Sequence, residues 1–146
     1  MPSSVTLLRT AAVIALLQFL AHTSIFVFST PKHGPVEAAV IEAMQSHSFN
    51  FSGSVRSYWD LYFGYGLLAA FNCLIEAVLF WQLATLAARS LRDIRPIIAL
   101  FTAANLAYAA MVLKFFFIVP LVPDLVIAAC LGGALFWRPR TEVALG

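Results

Sequence analysis

Apolar residues in this chain come in long unbroken blocks, with no strand-like alternation. The first block, Ala11 to Phe28, reads AAVIALLQFLAHTSIFVF. That is about the minimum length for a helix to cross a hydrocarbon core of ~30 Å. A second block runs from Tyr58 to Ala88, a third from Ile97 to Leu113 and a fourth from about Pro120 to Trp137. The pattern predicts an all-α integral membrane four-helix bundle, with spans at about 8–28, 58–88, 96–114 and 119–137. One transmembrane domain, 1–146, accounts for the whole chain, and the long polar stretch 29–57 forms an outer loop.

The breaks between blocks carry their own signals. Pro31, Gly34 and Pro35 end the first helix. Pro35 to Gln45 then reads as a short amphipathic helix. Pro35 suits a first helical position, and Glu37 falls in the first turn, where the helix dipole favours an acid. Val36, Val40, Ala43 and Met44 share one face of it. That face suits the membrane surface or the mouth of the bundle. Tyr58, Trp59, Tyr62 and Tyr65 place the start of the second span at headgroup level. Gly64 and Gly66, and later Gly132 and Gly133, offer room for close helix neighbours. Arg89, Arg92 and Arg95 with Asp93 read as a short charged loop, after which Pro96 opens the third span at a first-turn position. Pro120 and Pro123 follow a tight turn at Lys114 to Val119. Arg9 before the first block raises a signal peptide, but Ala21 is followed by His22 and Thr23 and the apolar run continues. A retained first span is expected.

Composition strengthens the membrane reading. Hydrophobic residues are 62% of the chain and charged residues 11%, against roughly a quarter charged in soluble domains. The net charge of +2 with no basic run excludes a nucleic-acid partner. Cys73 and Cys130 lie inside apolar segments and read as small buried residues. Arg9, Arg89, Arg92, Arg95, Arg138 and Arg140 fall on one side of the predicted spans, and Lys32, Arg56 and Lys114 on the other. The positive-inside rule then puts both termini in the cytoplasm of a multi-pass inner-membrane protein.

Candidate chemistry centres on Glu76. A carboxylate at mid-span costs roughly 3 kcal/mol or more, so it persists where it meets other protein, a partner charge or water. Asn72 lies four residues away on the same face, and Gln18 and His22 pair likewise on the first span. Thr102, Asn105 and Tyr108 form a polar stripe on the third span. Converging, these faces form a ligand pocket; apart, they are interhelical hydrogen bonds of about 0.6 kcal/mol each. Asp60, level with Arg56, Lys114 and Asp124, reads as an interfacial ion pair or a polar entrance. The candidate ligand-binding residues are therefore Glu76, Asn72, His22, Gln18, Asn105, Tyr108 and Asp60. His33, Glu37 and His47 lack a metal-site spacing. No nucleophile elbow, glycine-rich phosphate loop or CxxC is present, so neither a catalytic set nor a cofactor is assigned.

The run Arg56-Ser57-Tyr58-Trp59-Asp60-Leu61-Tyr62-Phe63-Gly64-Tyr65-Gly66, with Ala21-His22-Thr23 before it, resembles small four-span bacterial membrane proteins of uncharacterised function. A fainter resemblance is to the emopamil-binding-protein (EXPERA) group, four-span proteins that include sterol isomerases and sterol-binding receptors. Phe19-Leu20-Ala21-His22 is similar to that group's first-helix histidine region, Cys73-Leu74-Ile75-Glu76 to its midspan acid, and Arg95-Pro96 to the start of its third span. Phe28-Ser29-Thr30 carries no acid where the group has one. The resemblance thus implies ligand binding more than isomerisation. The expected function is to hold a lipid-like hydrophobic ligand in a polar-lined bundle interior. The alternatives are a non-catalytic accessory subunit of a larger membrane complex and an EXPERA-like isomerase. The expected partners are the bilayer, a hydrophobic small molecule or other membrane subunits.

Overall fold

A computed structural model of the chain describes residues 3–28 and 30–136. These residues form five helices and one β-hairpin. The order is α1 (Ser4–Phe28), α2 (Pro35–Ser46), β1 (Ser48–Phe51), β2 (Ser54–Ser57), α3 (Tyr58–Ala87), α4 (Leu91–Phe115) and α5 (Leu121–Leu135). Three of them, α1, α3 and α4, are long and apolar enough to cross a membrane. The fourth apolar block forms the 15-residue α5. At ~1.5 Å per residue it measures about 22 Å, shorter than a ~30 Å core. Ser29, which opens the expected outer loop, and Trp137, Arg138 and Arg140, which close the expected fourth span, lie outside the described residues.

Local chemistry explains where the helices begin. Ser3 caps α1, its Oγ accepting from the Thr6 N–H at 3.1 Å. The helix therefore starts ahead of the apolar block. Ser57 and Asp60 form a reciprocal capping box at the start of α3: Ser57 N–H donates to Asp60 Oδ2 at 2.8 Å, and Asp60 N–H donates to Ser57 Oγ at 3.1 Å.

The charged loop expected after the second span is not a loop. Helix leaves α3 and re-enters α4 across Ser90, whose φ of −153° and ψ of 98° are the only non-helical values between Tyr58 and Phe115. Arg92, Asp93 and Arg95 ride on the first turns of α4. Pro96 is thereby the sixth residue of α4, beyond the first turn, where it forfeits one backbone hydrogen bond.

The hairpin is the element that the hydrophobic pattern conceals. β1 and β2 pair antiparallel with Asn50 opposite Val55 and Phe51 opposite Ser54. Ser52 and Gly53 join them with φ of 51° and 87°. Positive φ at both central residues is the two-residue turn that matches strand twist. Asn50 Oδ1 locks it by accepting from Gly53 N–H at 2.8 Å.

The chain divides into two compact units. The first comprises the residues up to Gln18 and those from Ile75 onward; the second is Phe19–Leu74. The first unit has an apolar core drawn from four helices: Leu8, Ala11, Ala12 and Ala15 of α1, Ala77, Phe80, Leu83 and Ala84 of α3, Ile94 and Ile98 of α4, and Ile127, Cys130, Leu131 and Ala134 of α5. Three alanines on α1 let backbones approach closely around large residues such as Phe80. Phe80 meets Phe101 edge-on at 5.5 Å. Gly133 belongs to the same close packing, since a Cβ there would lie 3.2 Å from Leu7 Cδ1.

In the second unit, aromatic rings replace an aliphatic core. Phe26 stacks on His22 and touches Tyr62 and Phe63, while Trp59 lies against the same two rings. Gly66 is required here, because a Cβ would collide with the Phe26 ring. Gly64, by contrast, has open space around it. Phe49 bridges the hairpin to α3 by its contact with Tyr58 at 4.8 Å.

Candidate functional site

The polar residues buried in the first unit come from α1, α3, α4 and α5. Glu76, Asn105 and Asp124 are 5%, 1% and 5% exposed, so each has given up nearly all its contact with solvent or lipid. Asp124, in the first turn of α5, accepts a hydrogen bond from Gln18 Nε2 at 2.9 Å. Asn105 Nδ2 donates to the Phe101 carbonyl one turn earlier, at 3.0 Å. That bond fixes the orientation of the amide: reversing it would set two acceptors against each other. The Asn105 side chain lies beside the Glu76 carboxyl.

Two oxygens of this group have no partner among the described residues: Glu76 Oε1 and Asn105 Oδ1. Both are acceptors. An unmade hydrogen bond on a buried group costs about 1–3 kcal/mol. Every Lys and Arg among the described residues is exposed. The group therefore presents open hydrogen-bonding positions at Glu76 Oε1 and Asn105 Oδ1.

The seven candidates read from the sequence divide between the units. Glu76, Asn105, Gln18 and Tyr108 belong to the first; His22, Asn72 and Asp60 belong to the second. Glu76 and Asn105 are buried and Gln18 and Tyr108 half-buried. Asn72 is exposed, although it stands one turn from Glu76. His22 is half-buried, with Nε2 3.1 Å from the Gly66 carbonyl and its ring stacked on Phe26. Asp60 is exposed and holds the start of α3 through the Ser57 capping box. Arg56 Nη1 donates to the Val55 carbonyl at 2.6 Å.

Asp124 is the residue that sequence reasoning misplaced. Its expected depth, level with Asp60, Arg56 and Lys114, suggested a set of interfacial ion pairs or a polar entrance. Its buried bond to Gln18 joins residues 106 positions apart, and no local pattern reports such a pairing. A second feature of this unit is a groove of about 460 Å³ lined by Val5, Arg9, Val13 and Trp81 among others. There the Arg9 guanidinium sits 5.3 Å from the Trp81 ring centroid. It shares no residue with the buried polar group.

Comparison with known proteins finds no matching family model, no matching curated protein and no matching solved structure.

Proposed function

We propose that this chain is a four-span inner-membrane protein that holds a lipid-like hydrophobic ligand by a hydrogen-bond-donating end. The observation that carries this reading is the pair of unpartnered buried oxygens, Glu76 Oε1 and Asn105 Oδ1. A packing subunit without a ligand has no use for them, since an apolar pair of similar shape would cost less. In this reading Glu76 and Asn105 accept from the ligand, the Gln18–Asp124 bond holds their surroundings polar, and apolar side chains of the unit receive the tail. α5 serves as the fourth span, its short helix extended by the exposed apolar run Phe116 to Val119.

The test is copurified lipid and melting temperature for wild type and Glu76→Gln. A glutamine keeps the shape and replaces one carboxyl oxygen with an N–H donor. If the site holds a ligand, Glu76→Gln melts within a few degrees of wild type yet loses the bound lipid. Retention of the same lipids would leave the accessory-subunit reading as the better account.

The arrangement of charges supports both termini in the cytoplasm, with the α2–hairpin segment outside. Single cysteines at Ser48 and Ser90, in a background without Cys73 and Cys130, check it. Impermeant maleimide added to intact cells labels Ser48→Cys and spares Ser90→Cys; the reverse pattern inverts the topology.

A further inference from the structure

Between α1 and α3 the chain inserts α2 and the hairpin, and the position of that insert in the second unit is constrained at both ends. Phe26, two residues before the end of α1, touches Tyr62 and Phe63, four and five residues after the start of α3. The two helix ends therefore lie side by side at one level. β2 runs straight into α3 at Ser57, and α2 contacts β2. Only six residues separate Phe28 from Pro35, a reach of at most ~25 Å. If α1 and α3 cross the bilayer, α2 is tethered at its surface.

The sides of α2 differ in a way that selects an orientation. Glu37, Ile41 and Met44 are half-buried and follow each other along one side. Val36, Val40 and Ala43 lie on the adjoining side, about 100° around the helix, and they are bare: Val36 is 75% exposed and Val40 54%. Glu42 and Gln45 occupy the remaining arc and are exposed. The apolar arc is thus wider than the contact within the unit uses. α2 carries no Lys or Arg, so attraction to anionic headgroups contributes nothing to its docking.

We propose that α2 lies in the interface of a zwitterionic bilayer, with Val36, Val40 and Ala43 turned into the acyl boundary and Glu42 and Gln45 turned to water. The inference rests on the membrane-spanning reading of α1 and α3. A spin label is placed at Val40→Cys, Glu42→Cys or, as a span control, Leu68→Cys, in the full chain without its native cysteines, reconstituted in phosphatidylcholine vesicles. Collision with oxygen and with a water-soluble nickel chelate then reports depth. The expected result is a label at 40 that lies ~5–10 Å below the headgroups, a label at 42 in water, and no change on adding phosphatidylglycerol or salt. Equal nickel access at 40 and 42 overturns the proposal, as does shielding of 40 from both reagents, which would mean a protein cover. A span control that is itself in water would instead overturn the membrane reading. Should the cysteine-free chain fail to fold, a photoreactive phenylalanine analogue at Val40 in the native chain gives the same decision. Phospholipid adducts support the proposal, and adducts confined to protein or water refute it.

Discussion

Glu37, Asp60, Glu76 and Asp124 all sit on helices, and the two units use them in opposite ways. In the second unit, Glu37 and Asp60 are each the third residue of a helix and each reaches back to the backbone just before it. Glu37 Oε2 accepts from the Lys32 and His33 N–H groups at 2.7 and 2.6 Å, and Asp60 accepts from Ser57. In the first unit, Glu76 and Asp124 are buried, and their partners, Asn105 and Gln18, come from other helices. The acids at the helix starts meet donors three to five residues earlier in the chain, each through one carboxylate oxygen. The buried acids depend on tertiary packing to bring donors, and packing leaves Glu76 Oε1 without one. Carboxyls that organise the backbone belong to local structure; those left with an open valence in a core are the ones to examine for binding.

The largest test of this contrast concerns what encloses the buried acids. Phe80, one helical turn after Glu76, is fully buried in the core of the same unit. Phe80→Ala should cost about 3–5 kcal/mol, whereas Val36→Ala on the bare side of α2 should stay within about 0.5 kcal/mol. Melting of both variants in one detergent checks this. A similar loss from each would mean that α2 is covered by protein and that the contrast between units is false.

Next come the partners themselves. Asp124→Leu strands the Gln18 amide and should cost about 1–3 kcal/mol. Adding Gln18→Leu should restore most of it, with a coupling energy near the ~0.6–1.7 kcal/mol seen for membrane hydrogen bonds. Ser57→Ala, which removes one half of the capping box at α3, should cost about 1 kcal/mol and show no coupling to either. Additivity between Gln18 and Asp124 would remove the tertiary bond from the account.

The smallest effect is a pH dependence confined to the insert. Hydrogen bonds, first from the His33 backbone N–H, hold the Glu37 carboxyl below the ordinary carboxylate value. A value depressed by folding stabilises at pH above the ordinary ~4.3 and is lost as pH falls through the depressed value. The Lys32 and His33 amide resonances should therefore show a step below about pH 4, and Glu37→Gln should abolish that step. A midpoint above the ordinary value would contradict the bonding described.

Much of the architecture follows from the sequence alone, because its causes are local or additive. Blocks of apolar residues determine which helices are long enough to cross a bilayer, and Pro35 and Glu37 determine where α2 begins. The signals for the missed elements were short. Ser52-Gly53 between Phe49-Asn50-Phe51 and Ser54-Val55-Arg56 specifies a two-residue hairpin turn, but four-residue strands carry little periodic weight beside the apolar blocks. Ser90 alone breaks the helix between α3 and α4, and its extended backbone has no distinctive sequence mark.

The sequence also determined that Glu76 is expensive where it stands; only the tertiary structure decided who its neighbours are. A helical repeat places Asn72 and Glu76 near one face, yet packing buries Glu76 and leaves Asn72 exposed. Helix periodicity reports which residues share a side of one helix, and carries no information about which other helix arrives there. The burial of Asp124, its bond to Gln18 and the open acceptors at Glu76 and Asn105 arise from residues far apart in the chain. They exist because side-chain volumes around Phe80 and the α1 alanines allow four helix segments to close at one depth.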